Sequence, residues 1–283
     1  MTESSTPIGA RCSCTYQWIK NVAMQIDLTT IIPCRSPAAL KVADLQIELR
    51  QLKPDAEIIN IIDSAGSGHG SSTGQGLMFT MDGLSMAIIS MSAALPIESL
   101  VYGPSPTFLW MDAKKDLAAH TCHTRVLVTG STDSRDSLLR AARVQMLVTA
   151  AVCKIIPAMG VLWCASDNLV PLDRFLNASA AFAQDGHPPA DIWVRLMASN
   201  TNDGLLVATH GLASFTGREL EFTPTRKFDF GTLSMRAIQL AQYLIESGVA
   251  LKDGEVVAPE QFRIELRERA SFDDRPTYVL KAD

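Results

Sequence analysis

The chain predicts an α+β fold, a layered sandwich in which helices pack on a mixed, largely antiparallel sheet. Three observations carry this reading. A strand–helix–strand unit opens the patterned part of the chain. Asp82-Gly83 then sits between two apolar runs, the signature of a hairpin turn. The later strands come in pairs, so the strict strand–helix alternation of a doubly wound sheet is missing.

Residues 1–20 are polar and unpatterned and read as a flexible N-terminal segment. Val22–Thr30 alternates as a half-buried strand. Ser36-Pro37 offers a capping hydroxyl followed by proline at the first helical position, and Val42, Leu45, Leu49 and Leu52 follow at helical spacing. Lys53-Pro54 stops that helix, and Glu57–Asp63 reads as a short buried strand. Residues 64–76 hold five glycines and four serines, which predicts a mobile loop. Leu77–Thr80 and Leu84–Ser92 are the arms of the hairpin. Prolines 96, 104 and 106 break the stretch that follows, leaving a helix at Met111–His120.

Arg125–Gly130 is a strand. Ser134–Ile156 is a helix apolar around nearly its whole circumference, hence a buried one. Met159–Cys164 is a strand and Leu172–Phe182 a helix. Ile192–Met197 and Leu205–His210 are strands flanking Asn200–Gly204, and Glu219–Phe222 continues the sheet. Thr232–Ser247 carries one apolar stripe and ends at Gly248, where a left-handed cap belongs. A strand at Gln261–Arg267 closes the chain. No linker-like composition divides residues 21–283, which read as a single domain, with a two-lobe division near residue 120 as the alternative.

The balance of charges excludes several function classes. A net charge of −5 on 283 residues is opposite to what a phosphate-neutralising surface requires, so no nucleic-acid partner is expected. No apolar run reaches the roughly 18–20 residues that span a bilayer. The opening MTESSTPIGARCSC lacks a basic start and an apolar core, so a cytoplasmic location is expected. The cysteines at 12, 14, 34, 122, 153 and 164 then read as reduced, structural thiols. Cys12 and Cys14 form C-x-C, not the C-x-x-C of a zinc knuckle or redox motif.

The densest chemistry lies in His120-Thr-Cys122-His123, where two imidazoles and a thiol fall within four residues. All three are competent metal ligands, and His210 or Cys164 could complete a set. Cys122 or Cys153 could also pair with His123 or His210 as nucleophile and base. Against these stands a structural role: His120 capping its helix and His123 hydrogen-bonded inside the fold. Gly66-Ser-Gly68-His69-Gly70-Ser71 fails as a dinucleotide fingerprint, because Ser71 replaces the third glycine and a hairpin follows where a helix is needed. The chain contains neither a P-loop nor a G-x-S-x-G elbow. The carboxylate pairs Asp133/Asp136 and Glu219/Glu221 read as solvated faces. No cofactor is expected.

From Leu77 onward several segments occur in a fixed order: F-T-M-D-G and L-P-I-E, H-T-C-H-T-R-V-L-V-T, A-M-G-V-L-W, then G-L-L-V-A-T-H-G-L-A-S-F-T-G-R-E-L-E and L-K-D-G-E-V-V. In these, residues 77–283 resemble the bacterial family called domain of unknown function 4261. The resemblance implies fold and bacterial origin, carries no reaction, and raises interest in His120 and His123. The expected function is a non-enzymatic accessory or protein-binding role, with an immunity-type protein of a toxin or secretion locus as its specific form. Another protein is the expected partner, and His69, Asn200, Asn202 and Asp203 are its exposed-loop candidates. The alternative is a metal- or thiol-dependent enzyme centred on His120, Cys122 and His123.

Overall fold

The computed structural model describes residues 28–63, 74–101, 108–130, 134–257, 262–269, 271–272 and 274–282. Residues 1–27, with Cys12 and Cys14, and residues 64–73, with His69, lie outside that set, as does Asp133. The fold is α+β, with its strands divided between two sheets of seven and six strands.

The first sheet contains β1 (Leu28–Cys34), β2 (Ile59–Asp63), β3 (Gly74–Met81), β4 (Leu84–Met91), β5 (Cys122–Thr129), β6 (Gly160–Trp163) and β7 (Asn168–Pro171). Their order is β2-β3-β4-β5-β1-β6-β7, antiparallel throughout. The second sheet contains β8 (Arg195–Thr201), β9 (Gly204–His210), β10 (Glu219–Thr225), β11 (Val256–Val257), β12 (Phe262–Arg267) and β13 (Thr277–Ala282). Its order is β11-β12-β13-β10-β9-β8, and the β10–β13 pair alone is parallel.

The expected hairpin forms: Met81 pairs with Leu84 across Asp82-Gly83, both at positive φ. Residue 120 falls between β4 and β5, which pair with each other. The chain instead leaves the first sheet after β7 and enters the second at β8.

The Arg135–Ile155 helix lies across β5 and β1, flanked by the Val42–Leu52 and Leu172–Asp185 helices. Thirteen of its residues are buried, as its apolar circumference requires. Ser134 caps it, exchanging hydrogen bonds with Ser137. Gln145 is fully buried against the sheet and donates to Thr30 Oγ1 at 2.9 Å and Val126 O at 2.7 Å, while Thr149 bonds Thr30 at 2.7 Å. These bonds fix the helix's register, since an unpaired buried amide would cost about 1–3 kcal/mol. The Phe230–Ser247 helix covers β8, β9 and β10. It ends on Gly248 at φ 66°, and Arg135 donates to the Ile245 and Glu246 carbonyls at that end.

A single apolar cluster runs from the first sheet into the second. At its centre Trp193 stacks on Trp163 and Phe215, with centroids 6.0 and 5.3 Å away, and meets Phe182 edge-on at 5.4 Å.

Several local expectations are corrected. The first helix begins at Val42, not at Ser36-Pro37, and the Met111–His120 helix contracts to Ala113–Asp116 plus a 3-10 turn at Leu117–Ala119. Ala190–Trp193 is a helical turn, so β8 starts later than the expected strand. Gly74–Gly76 belong to β3 rather than to a loop. β13 closes the chain, not β12. All of β2 is exposed, because it lies at the sheet edge, where neither of its faces is covered. Glu219 and Glu221 are buried, because β10 runs inside the second sheet between β9 and β13.

Candidate functional site

The His120–His123 segment joins the 3-10 turn to β5, at the end of the first sheet where β4 runs out. His120 is buried, with Nδ1 2.6 Å from Leu117 O and Nε2 3.1 Å from the Leu95 amide. A backbone N–H can only donate, so Nε2 is the unprotonated nitrogen and Nδ1–H donates to Leu117. The ring has no lone pair left for a metal. His123 donates from Nδ1 to Ala93 O at 2.8 Å, and its Nε2 is buried without a partner. The two imidazoles thus hold the chain at residues 93–95 against the start of β5.

Cys122 does not pair with an imidazole. In the antiparallel register it lies opposite Cys34 of β1, and its Sγ donates to Cys34 O at 3.7 Å. Cys34 Sγ donates to Ile32 O at 3.2 Å. Burial, then the neighbouring Cys122, push the Cys34 thiol up to about 12. Burial, with Cys34 beside it, pushes Cys153 well above the usual thiol range. Cys34 is therefore a thiol, not a thiolate, at neutral pH, as is Cys153. Cys34, Cys122 and His123 line a cavity of about 280 Å³ together with Ser90, Thr124 and Ile156.

The remaining candidate ligands go elsewhere. His210 Nε2 lies 3.8 Å from Asp167 Oδ2, and Cys164 Sγ donates to Leu162 O at 3.8 Å. Asp167 sits at φ 51°; burial raises its pKa, against the pull of His210, Arg195 and Arg275. Among the described residues no three His, Cys, Asp or Glu side chains are placed to hold one metal ion. The candidate ligands His120, His123 and His210, with or without Cys164, are thus not brought together among the described residues. Asn200, Asn202 and Asp203 are exposed at the β8–β9 turn. That turn is pinned by Arg226 donating to Asn202 O at 2.6 Å and by the Asp203 amide donating to Thr201 Oγ1 at 3.3 Å.

Two features escape sequence reasoning. Cys34 reaches Cys122 across 88 positions, and only strand pairing brings them together. Ile59, Ile61 and Ile62 are 45, 43 and 62% exposed, although an isoleucine-rich run reads as buried. Among the described residues no helix is long and apolar enough to cross a membrane. Comparison of the chain with family models, curated proteins and solved structures finds no match.

His123 yields a pH prediction. Burial, followed in smaller measure by the charges of Arg125 and His120, holds its pKa below the ordinary 6.5, against the hydrogen bond to Ala93. As pH falls, the unfolded chain takes up this proton first, so the stability due to neutral His123 is full above about pH 6.5 and is lost as pH drops toward the folded value. Urea midpoints should fall between about pH 7 and 5, less steeply in His123→Asn than in wild type. Equal slopes would show that His123 does not supply the dependence.

Proposed function

We propose that this chain is a non-enzymatic protein-binding protein that takes an extended segment of its partner onto the edge of β2 that no other described strand pairs. The observation that carries this is the edge itself. All five residues Ile59–Asp63 are exposed, three of them are isoleucines, and Met78 of neighbouring β3 is 52% exposed beside them. An apolar edge strand with unpaired backbone groups is a template for strand addition, which folded proteins ordinarily cover or charge. Asn60, at φ 55°, lies where the β2–β3 register shifts between Ile59 and Ile62.

Acidic groups at Asp55, Glu57 and Asp63 bracket the isoleucines, on a chain of net charge −5. The complementary partner is a strand that alternates apolar and basic residues, steered by charge and held by backbone hydrogen bonds. An acidic immunity-type protein facing a basic toxin is the specific form of this reading. The metal- or thiol-dependent enzyme reading is less favoured, because His120 has spent both nitrogens and Cys34 and Cys153 hold their protons.

The test uses a peptide of alternating valine and lysine, about eight residues long. Its addition should slow hydrogen exchange at the β2 amides. Ile61→Pro, which removes an edge donor, should abolish that protection, whereas Met111→Lys at another exposed apolar site should not. Unchanged exchange overturns the proposal. So does concentration-dependent self-association lost in Ile61→Pro, which would assign the edge to a second copy of the chain.

A further inference from the structure

We propose that Cys34 and Cys122 form a two-thiolate site for a soft monovalent cation of the copper(I) class. The pair is built by register: the residues lie directly opposite on adjacent antiparallel strands, so their side chains leave the sheet on the same face. Both are almost fully buried, at 2 and 3% exposure. Cys153 lies on the helix packed over β5 and β1.

Two further observations turn this from packing into a site. The sulfurs share a cavity of about 280 Å³, which gives an ion a way in. The donor set is soft, sulfur-dominated and almost free of oxygen anions, which selects copper(I) over calcium, magnesium or manganese. Zinc is disfavoured because it requires about four converging ligands, whereas no three such ligands converge among the described residues. Copper(I), a closed-shell ion, is satisfied by two thiolates in line.

On binding, each S–H bond breaks, its electron pair goes to a metal–sulfur bond, and two protons leave to solvent per ion with no change of oxidation state. Burial alone favours the protonated thiols, so the cation's field must displace both protons together.

The experiment uses the full chain carrying Cys12→Ser and Cys14→Ser, so that the N-terminal C-x-C cannot supply thiolates. Anaerobic titration with copper(I) against a chromophoric copper(I) chelator should show one ion retained per chain and two protons released. Cys34→Ser and Cys122→Ser should each cut retention at least tenfold, while Cys164→Ser leaves it unchanged. A parent protein that holds no copper(I), or a Cys122→Ser variant that holds it equally well, overturns the site. If a serine variant does not fold, X-ray absorption of the loaded parent decides. A first shell of sulfur supports the proposal, and a shell of nitrogen or oxygen overturns it.

Discussion

Glu219→Ala is expected to be among the most damaging single substitutions in the described chain. The Glu219 carboxylate is fully buried at the start of β10 and accepts from the Gly211, Leu212 and Ala213 amides at 2.8, 3.1 and 3.2 Å. It also accepts from Thr209 Oγ1 at 2.8 Å and from Arg275 at 3.3 Å. One side chain thus satisfies the turn that leaves β9 and ties it to the residues preceding β13. Alanine would strand three backbone donors, at about 1–3 kcal/mol for each buried unpaired group, so a loss of roughly 3–6 kcal/mol is expected. For a chain of this size that lowers the melting temperature by about 10 °C. Glu221→Ala should cost less, because among the described residues Glu221 accepts from the amide and hydroxyl of Ser271, at 2.6 and 2.8 Å. Calorimetry that places Glu219→Ala within about 2 °C of wild type would remove Glu219 from this role.

Trp193→Ala is the second large effect. Trp193 is 1% exposed and packs between Trp163 of the first sheet and Phe215 beside the second, with Phe182 at its edge. Truncation removes the ring and leaves a cavity that neighbours on two sheets cannot both close, so about 3–5 kcal/mol is expected. Trp193→Phe should recover part of this, because a smaller ring retains some of the stacking. Guanidinium unfolding followed by circular dichroism measures both variants. A loss below about 1 kcal/mol for the alanine would mean that the two sheets do not share this core.

Much of the secondary structure was legible because it rests on local periodicity. The Arg135–Ile155 helix and the Gly248 end of the last helix follow from patterns spanning a few residues each. Elements whose character depends on neighbours were misread. In β2, the isoleucines at 59, 61 and 62 suggest a buried strand, yet its place at a sheet edge leaves every residue of β2 in solvent. In β10 the alternating glutamates suggest a solvated face, yet the turn after β9 and the chain before β13 close over Glu219. The His120–His123 cluster is dense in sequence, but its ring nitrogens go to Leu95, Leu117 and Ala93, none of which sequence spacing identifies.

What the sequence determined by itself was the α+β class, the antiparallel hairpin at Asp82-Gly83 and the buried central helix, because hydrophobic period and turn chemistry act over a few residues. Tertiary structure alone decided that there are two sheets, that Cys34 faces Cys122, that Glu219 is buried and that β2 is bare. Strand order and register join residues far apart in the chain, and a residue's solvation depends on what packs over it rather than on its own side chain.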